Sequence, residues 1–251
     1  MAIALIADAH LGGPGGPAGP MVEQLRALPA SGCERLLLLG DLFHVWVGDR
    51  RYETEDIRSV VGELRRLRAA GIWVGYVEGN RDFFLDASPY ADAFDLLAAE
   101  IAVECTGRRF LAVHGDGLNE RDRRYRFWRW LSKSPPSRTL FRRLPGPLAR
   151  KMVHGTERRL ARTNFRHKSR IPDEVVRSYA QRRLREGYDV VLLGHFHEER
   201  RYRLEGGEAW ILPAWYVRPQ VLWLEAYASD ERVAERVAEE DAQRGVEALP
   251  R

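Results

Sequence analysis

Short apolar runs alternate along the chain with longer stretches in which apolar residues recur at helical spacing. The runs Ile3–Ala7, Leu36–Leu39, Trp73–Val77, Phe110–Val113 and Val190–Leu193 are rich in Val, Ile, Leu and aromatic residues. Unbroken apolar runs of this length suit strands covered on both faces. Between them, Pro20–Leu28, Thr54–Ala69 and Pro172–Arg185 read as amphipathic helices. Pro172 followed by Asp173 and Glu174 suits a first turn, where a missing N–H costs nothing and carboxylates meet the positive end of the helix dipole. After Gly194 the pattern becomes β-rich, with Arg201–Leu204, Ala209–Leu212 and Val221–Glu225 separated by Gly206-Gly207 and Pro219. The alternation predicts a mixed α/β fold.

Two regions depart from it. Gly12–Pro20 is almost wholly Gly, Pro and Ala, and without the Gly-Lys-Ser/Thr of a phosphate-binding loop it reads as a flexible connection. The other is residues 119–170, read as a helical insertion within a single domain spanning 1–251. There Tyr125, Trp128 and Leu131 fall at helical spacing, as do Phe127, Trp130 and Leu131; arginines fill the gaps and Pro135-Pro136 ends the pattern. The stretch after Ser229 is acidic and polar, a terminal helix or a tail.

Composition narrows the class. With 45% hydrophobic and 30% charged residues in 251, the chain is globular rather than disordered. No run approaches the roughly 18 apolar residues of a membrane span. The start lacks a basic segment and its apolar run ends at Asp8, so no secretory signal is expected and the cytoplasm is the expected compartment. Cys33 and Cys105 are too few for a disulfide framework or a cysteine zinc site, and are expected as buried thiols.

Charge is segregated. Residues 121–170 hold 17 basic residues against Asp122 and Glu157, a local +15 in a chain of net +4. One face should therefore attract nucleic acid, phosphate groups or an anionic membrane, and charge alone does not choose among them.

Five clusters of metal-type residues follow strand-like runs: Asp8-Ala9-His10, Gly40-Asp41, Gly79-Asn80-Arg81-Asp82, His114-Gly115-Asp116 and Gly194-His195-Phe196-His197. Strand ends in α/β domains gather catalytic groups because the sheet holds them while loops vary. Asp-x-His and His-x-His send two side chains to one side of an extended segment. Any single cluster is a common turn, but five at five strand ends point to one site. Carboxylate, imidazole and amide donors together suit manganese, iron or zinc better than magnesium. Seven ligands are too many for one ion and suit two.

In this order the clusters resemble the pattern of the calcineurin-like metallophosphoesterases. The resemblance implies a four-layer α/β/β/α sandwich and a two-metal centre. It assigns one ion to Asp8, His10, Asp41 and His197, and the other to Asp41, Asn80, His114 and His195. Two cations about 4 Å apart acidify water and neutralise phosphoryl oxygens, which makes phosphate ester or anhydride hydrolysis the expected reaction.

Arg81 narrows it further. The family usually has His after this asparagine, where it protonates a leaving alkoxide. Arginine stays charged and clamps phosphate oxygens, which suits a phosphoanhydride. The segments Gly40-Asp41-Leu42-Phe43 with Trp46 and Gly48-Asp49, and Gly79-Asn80-Arg81-Asp82-Phe83, look like the UDP-2,3-diacylglucosamine pyrophosphatases of lipid A biosynthesis. That family releases UMP and 2,3-diacylglucosamine 1-phosphate, with an insertion forming a lid at the membrane. The resemblance marks Asn80, Arg81 and His195 as catalytic, and Asn80, Arg81, Asp122, Asn164, Lys168 and His195 as substrate contacts. It implies two divalent ions, manganese foremost, a UDP-diacylglucosamine substrate, and peripheral association with the inner membrane. The insertion's aromatic and arginine mixture fits an interfacial helix, though packing against the main domain would produce the same spacing.

The chain departs from the family at His44 (usually Glu), Phe196 (usually Thr) and Ala214-Trp215-Tyr216 (Gly-Ala-Trp or Gly-Asp-Trp). His44 stands either beside the metals or as a packed histidine; His154 and His167 read as non-ligands. The alternatives are a metal-dependent phosphodiesterase or nuclease using the basic insertion, and a non-catalytic metal-pocket protein.

Overall fold

Along the first strand, Ile3 and Leu5 enter one apolar layer and Ala4 and Ile6 another. Leu36 and Leu38 repeat the second choice on the next strand, and Leu37 the first. Both faces are covered, which is why these runs show no polar alternation.

The computed structural model describes residues 2–119, 121–144 and 171–229. Its strands are β1 (Ile3–Ile6), β2 (Arg35–Leu38), β3 (Trp46–Val47), β4 (Trp73–Val77), β5 (Asp82–Phe83), β6 (Leu96–Ala98), β7 (Glu100–Cys105), β8 (Arg108–Val113), β9 (Val190–Leu193), β10 (Arg200–Leu204), β11 (Gly207–Ile211) and β12 (Leu222–Trp223). The helices described are α1 (Gly19–Ala27), α2 (Glu55–Ala69), α3 (Arg123–Lys133), α4 (Pro135–Arg143), α5 (Asp173–Arg185) and α6 (Leu224–Ser229).

One sheet has the order β12-β1-β2-β4-β6, parallel except for β12. The second runs β10-β11-β9-β8-β7, with antiparallel strands at both edges. Met21, Leu25, Val60 and Leu64 of α1 and α2 share one apolar layer with Leu36 and Tyr76. Leu5, Leu37, Phe110, Leu192 and Trp210 fill the space between the sheets. Val176 and Ala180 of α5 pack on Val191 and Ile211. The result is helix, sheet, sheet, helix, the four layers expected.

Some elements differ from expectation. Val221–Glu225 is not one strand: Leu222 pairs with Leu5, and from Leu224 the chain turns into α6. Glu225-Ala226 favour helix, and Leu224 and Tyr227 at i, i+3 bury between the sheets. The alternating strand β7 escapes a search for continuous apolar runs, because only Ile101, Val103 and Cys105 face inward. Pro135 ends α3 but opens α4, where proline suits the first turn and the Ser134 side chain accepts from the Ser137 N–H. Cys33 and Cys105 are buried free thiols. Asn164, Lys168, His154, His167 and the stretch after Ser229 lie outside the described residues.

Candidate metal centre

The parallel strands β1, β2, β4, β8 and β9 all run out toward the cluster that bears Asp8, His10, Asp41, Asn80, His114, His195 and His197. Among the described residues, seven non-glycine positions have left-handed backbone, and five are Asp8, His10, Asp41, His195 and His197. Each such conformation costs on the order of 1 kcal/mol and persists where the surroundings over-determine it. Gly79 allows a close approach to the bridging candidate: a Cβ there would stand 2.2 Å from Asp41 Oδ1 and 2.7 Å from its N.

The donors converge. His10 Nε2 and His197 Nε2 lie 3.1 Å apart, and Asp8 Oδ1 lies 3.2 Å from His197 Nε2 and 4.0 Å from His10 Nε2. Asp41 Oδ2 stands between the two halves, 4.0 Å from His10 Nε2 and 3.6 Å from His114 Nε2. His114 Nε2 is also 3.2 Å from Asn80 Oδ1, and its ring meets that of His195 edge-on at 5.1 Å. Two sets, Asp8-His10-His197 and Asp8-Asp41-His114, each bring three donor atoms within 4.8 Å of one another.

Neighbouring groups orient these donors. His114 Nδ1 donates to the Leu39 carbonyl at 2.8 Å, leaving Nε2 to face the cluster. His197 Nδ1 lies 2.9 Å from the Tyr216 hydroxyl, and Asp8 Oδ2 accepts from the His195 N–H at 2.7 Å. Beneath them, Asp82 Oδ2 accepts from the N–H groups of Gly79 and Asp41 and from the Tyr76 hydroxyl, pinning the Gly79-Asn80 turn.

The electrostatics call for positive charge. Asp8 and Asp41 are both buried. Burial raises Asp8, but the hydrogen bond from His197 and the charges of His114, His197 and His10 outweigh it and hold it well below the usual range. Burial pushes Asp41 up, the adjacent Asp8 adds to this, and His114 and Arg81 only partly oppose it. Burial lowers His114, yet Asp41 and Asp8 raise it overall. Buried carboxylates that repel one another among imidazoles suit divalent cations, which would satisfy both. The donor set fits such ions.

Arg81 is not a surface arginine: it is 4% exposed. Its Nε lies 3.4 Å from Asp41 Oδ2, and its Nη1 donates to the His44 carbonyl at 3.0 Å. His44 is half-buried beside it, its ring steeply inclined to that of His10.

Helix α3 is fastened to this centre by a face that sequence pattern alone did not single out. Tyr125, Arg129 and Lys133, four residues apart, form one stripe of α3. Asp116 Oδ2 accepts from the Tyr125 hydroxyl at 2.6 Å and from Arg129 Nε at 2.7 Å, while Lys133 Nζ donates to the Gly79 carbonyl at 2.8 Å. Trp128 and Leu131 instead line an apolar cavity of about 240 Å³ with Val47, Phe84, Leu140 and Phe141. Phe127 and Trp130 face outward. Asp122 caps α3, its side chain accepting from the Tyr125 N–H at 2.9 Å.

No protein-family model matches the chain. The UDP-2,3-diacylglucosamine hydrolase of Edwardsiella ictaluri is 32% identical over 235 residues, covering 90% of this chain and 89% of that protein. The protein of the same name from Pseudomonas fluorescens is 32% identical over 220 residues, 82% of each. The chain belongs to the UDP-2,3-diacylglucosamine hydrolase family. Among similar solved structures, phosphopantetheinyl hydrolase of Mycobacterium tuberculosis shares 15% identity over 89% of this chain and 95% of that one, with a TM-score of 0.45. As a member of the UDP-2,3-diacylglucosamine hydrolase family, the chain is a metal-dependent hydrolase. Of the three places where the sequence departs from the pattern noted above, His44 contacts Arg81, Phe196 meets His195, and Tyr216 of Ala214-Trp215-Tyr216 contacts His197.

Proposed function

We propose that this chain hydrolyses the diphosphate of UDP-2,3-diacylglucosamine, releasing UMP and 2,3-diacylglucosamine 1-phosphate. The observation that carries the proposal is a buried guanidinium, Arg81, fixed beside Asp41 at the edge of the donor cluster. Asp8, His10, Asp41 and His197 would hold one divalent ion, and Asp41, Asn80, His114 and His195 the other, with manganese favoured by the mixed oxygen and nitrogen donors. When bound, such ions supply Lewis acidity toward phosphoryl oxygens and make water acidic enough to attack.

The chain's own residues supply the rest. Arg81 grips a non-bridging phosphate oxygen and, being permanently charged, donates no proton. It needs to donate none: water adds to one phosphorus and loses its protons to solvent, the P–O bond to the bridging oxygen breaks, and the departing group is a phosphate monoester. Asn80 and His195 orient the diphosphate from the other half of the cluster, and Asp122, Asn164 and Lys168 contact the substrate from the insertion.

The apolar cavity under α3 and α4 fits acyl chains, and the insertion acts as a lid. Exposed Phe127 and Trp130 among arginines suit an anionic lipid surface, supporting peripheral work at the inner membrane. Incubation with manganese and UDP-2,3-diacylglucosamine, with UMP followed by chromatography, tests the proposal. UMP release from this substrate and none of nucleotides from single-stranded DNA is expected. The reverse pattern, or no product from either, overturns it.

A further inference from the structure

We infer that His44 is the positioning residue that aims Arg81, and that as an uncharged acceptor it leaves the guanidinium its full pull on a diphosphate; this rests on the role proposed above for Arg81. Nη1 of Arg81 is anchored twice on one residue, 3.0 Å from the His44 carbonyl and 3.2 Å from its Nδ1. Arginine only donates, so Nδ1 accepts and the ring proton sits on Nε2. With Nε within ion-pair range of Asp41 Oδ2 at 3.4 Å, the guanidinium is bracketed between Asp41 and His44.

The ring that does this is itself confined. A Cβ on Gly13 would stand 2.5 Å from its Cγ and 2.7 Å from its Nδ1, so the Gly-rich loop closes directly on the imidazole. The ring also makes an edge-type contact with that of His10, with centroids 6.3 Å apart. A wedged acceptor holds a donor group in place before substrate arrives, and such preorganisation is what makes a charged hydrogen bond effective. A carboxylate at the same position would hold Arg81 equally well but pair with its charge.

Three substitutions separate these statements. His44→Leu removes the acceptor, His44→Asn keeps one near Nδ1, and His44→Glu keeps an acceptor but adds negative charge. Each is loaded with manganese, its metal content is measured, and kcat and KM for UDP-2,3-diacylglucosamine are determined. Inorganic pyrophosphate, titrated calorimetrically into the loaded protein, provides a readout that does not depend on turnover.

We expect His44→Leu to raise KM and weaken pyrophosphate about five- to tenfold, the effect of losing one hydrogen bond to a charged group. His44→Asn is expected to stay within about twofold, and His44→Glu to weaken pyrophosphate despite its acceptor. In an Arg81→Ala background, His44→Leu is expected to add nothing further, because the group it positions is gone. Multiplying effects in that double variant, His44→Asn as impaired as His44→Leu, or metal lost from His44→Leu would each overturn the inference. A wild-type chain that binds pyrophosphate but releases no UMP would sink the proposed substrate instead, while the titrations still judge His44.

Discussion

Arg81 holds both oxygens of Asp41: its backbone N–H donates to Oδ1 at 2.9 Å, and its Nε lies 3.4 Å from Oδ2. The same Oδ2 stands between His10 and His114, so the residue proposed to grip phosphate also orients the carboxylate shared by the two halves of the cluster.

Replacing Arg81 with Lys keeps the backbone bond and the charge but removes the planar fork. UMP release is expected to fall about a hundredfold, equivalent to roughly 2–3 kcal/mol for a charge-assisted pair, with bound manganese little changed. Steady-state kinetics beside elemental analysis check this, and activity within a factor of two of wild type would remove Arg81 from the chemistry.

Gly79→Ala places a methyl where Asp41 Oδ1 and N already stand. Either Asp41 or the Gly79-Asn80 turn must shift, at a cost of about 1–3 kcal/mol. Thermal melts are expected to drop, and elemental analysis to find fewer than two ions per chain. An unchanged metal content would show that the turn absorbs the methyl without disturbing the cluster.

If the proposed function holds, the two faces of α3 are expected to separate acyl-chain binding from docking at a lipid surface. Leu131→Asp places a charge in the apolar cavity and is expected to raise KM for the diacyl substrate about tenfold or more. Phe127→Asp with Trp130→Asp changes exposed positions, so hydrolysis of detergent-dispersed substrate should persist while sedimentation with anionic vesicles falls about tenfold. Equal effects of both changes on both assays would contradict the division.

Asp49 accepts from Arg51, and Arg51 Nη1 in turn donates to the Leu144 carbonyl at 2.9 Å, past the end of α4. The Arg51 bond holds the Asp49 carboxyl below its ordinary value. Because the folded value is the lower one, its stabilisation is complete above the unfolded value of about 3.9 and is lost as pH falls through the folded value. Asp49→Asn is expected to lower stability by less than about 1 kcal/mol at neutral pH, the pair being partly screened, and the gap to wild type should close below about pH 4. Denaturant melts at several pH values measure it; a gap that widens on acidification would refute the linkage.

Much of the fold was legible because burial on both faces leaves unbroken apolar runs, as in Ile3–Ile6 and Val190–Leu193. Edge strands such as β7 alternate and leave no continuous apolar run, while Leu222–Trp223 merges in the pattern with the helix that follows it. Within α3, periodicity marked an apolar stripe but said nothing of what each side would meet. Tyr125 reaches Asp116 and Trp128 the cavity, and Arg129 and Lys133, which fill gaps in the sequence pattern, tie the helix to the loops that carry the candidate donors.

The amino-acid sequence by itself determined the mixed α/β alternation and offered seven candidate donors at strand ends, because hydrophobic period and residue type at strand ends are local properties. Only the tertiary structure decided that Tyr216 meets His197 and that His44 braces Arg81. Those pairings depend on strand order and on left-handed backbone at the strand ends. Both are set by how two whole sheets pack, and no short window of residues carries that information.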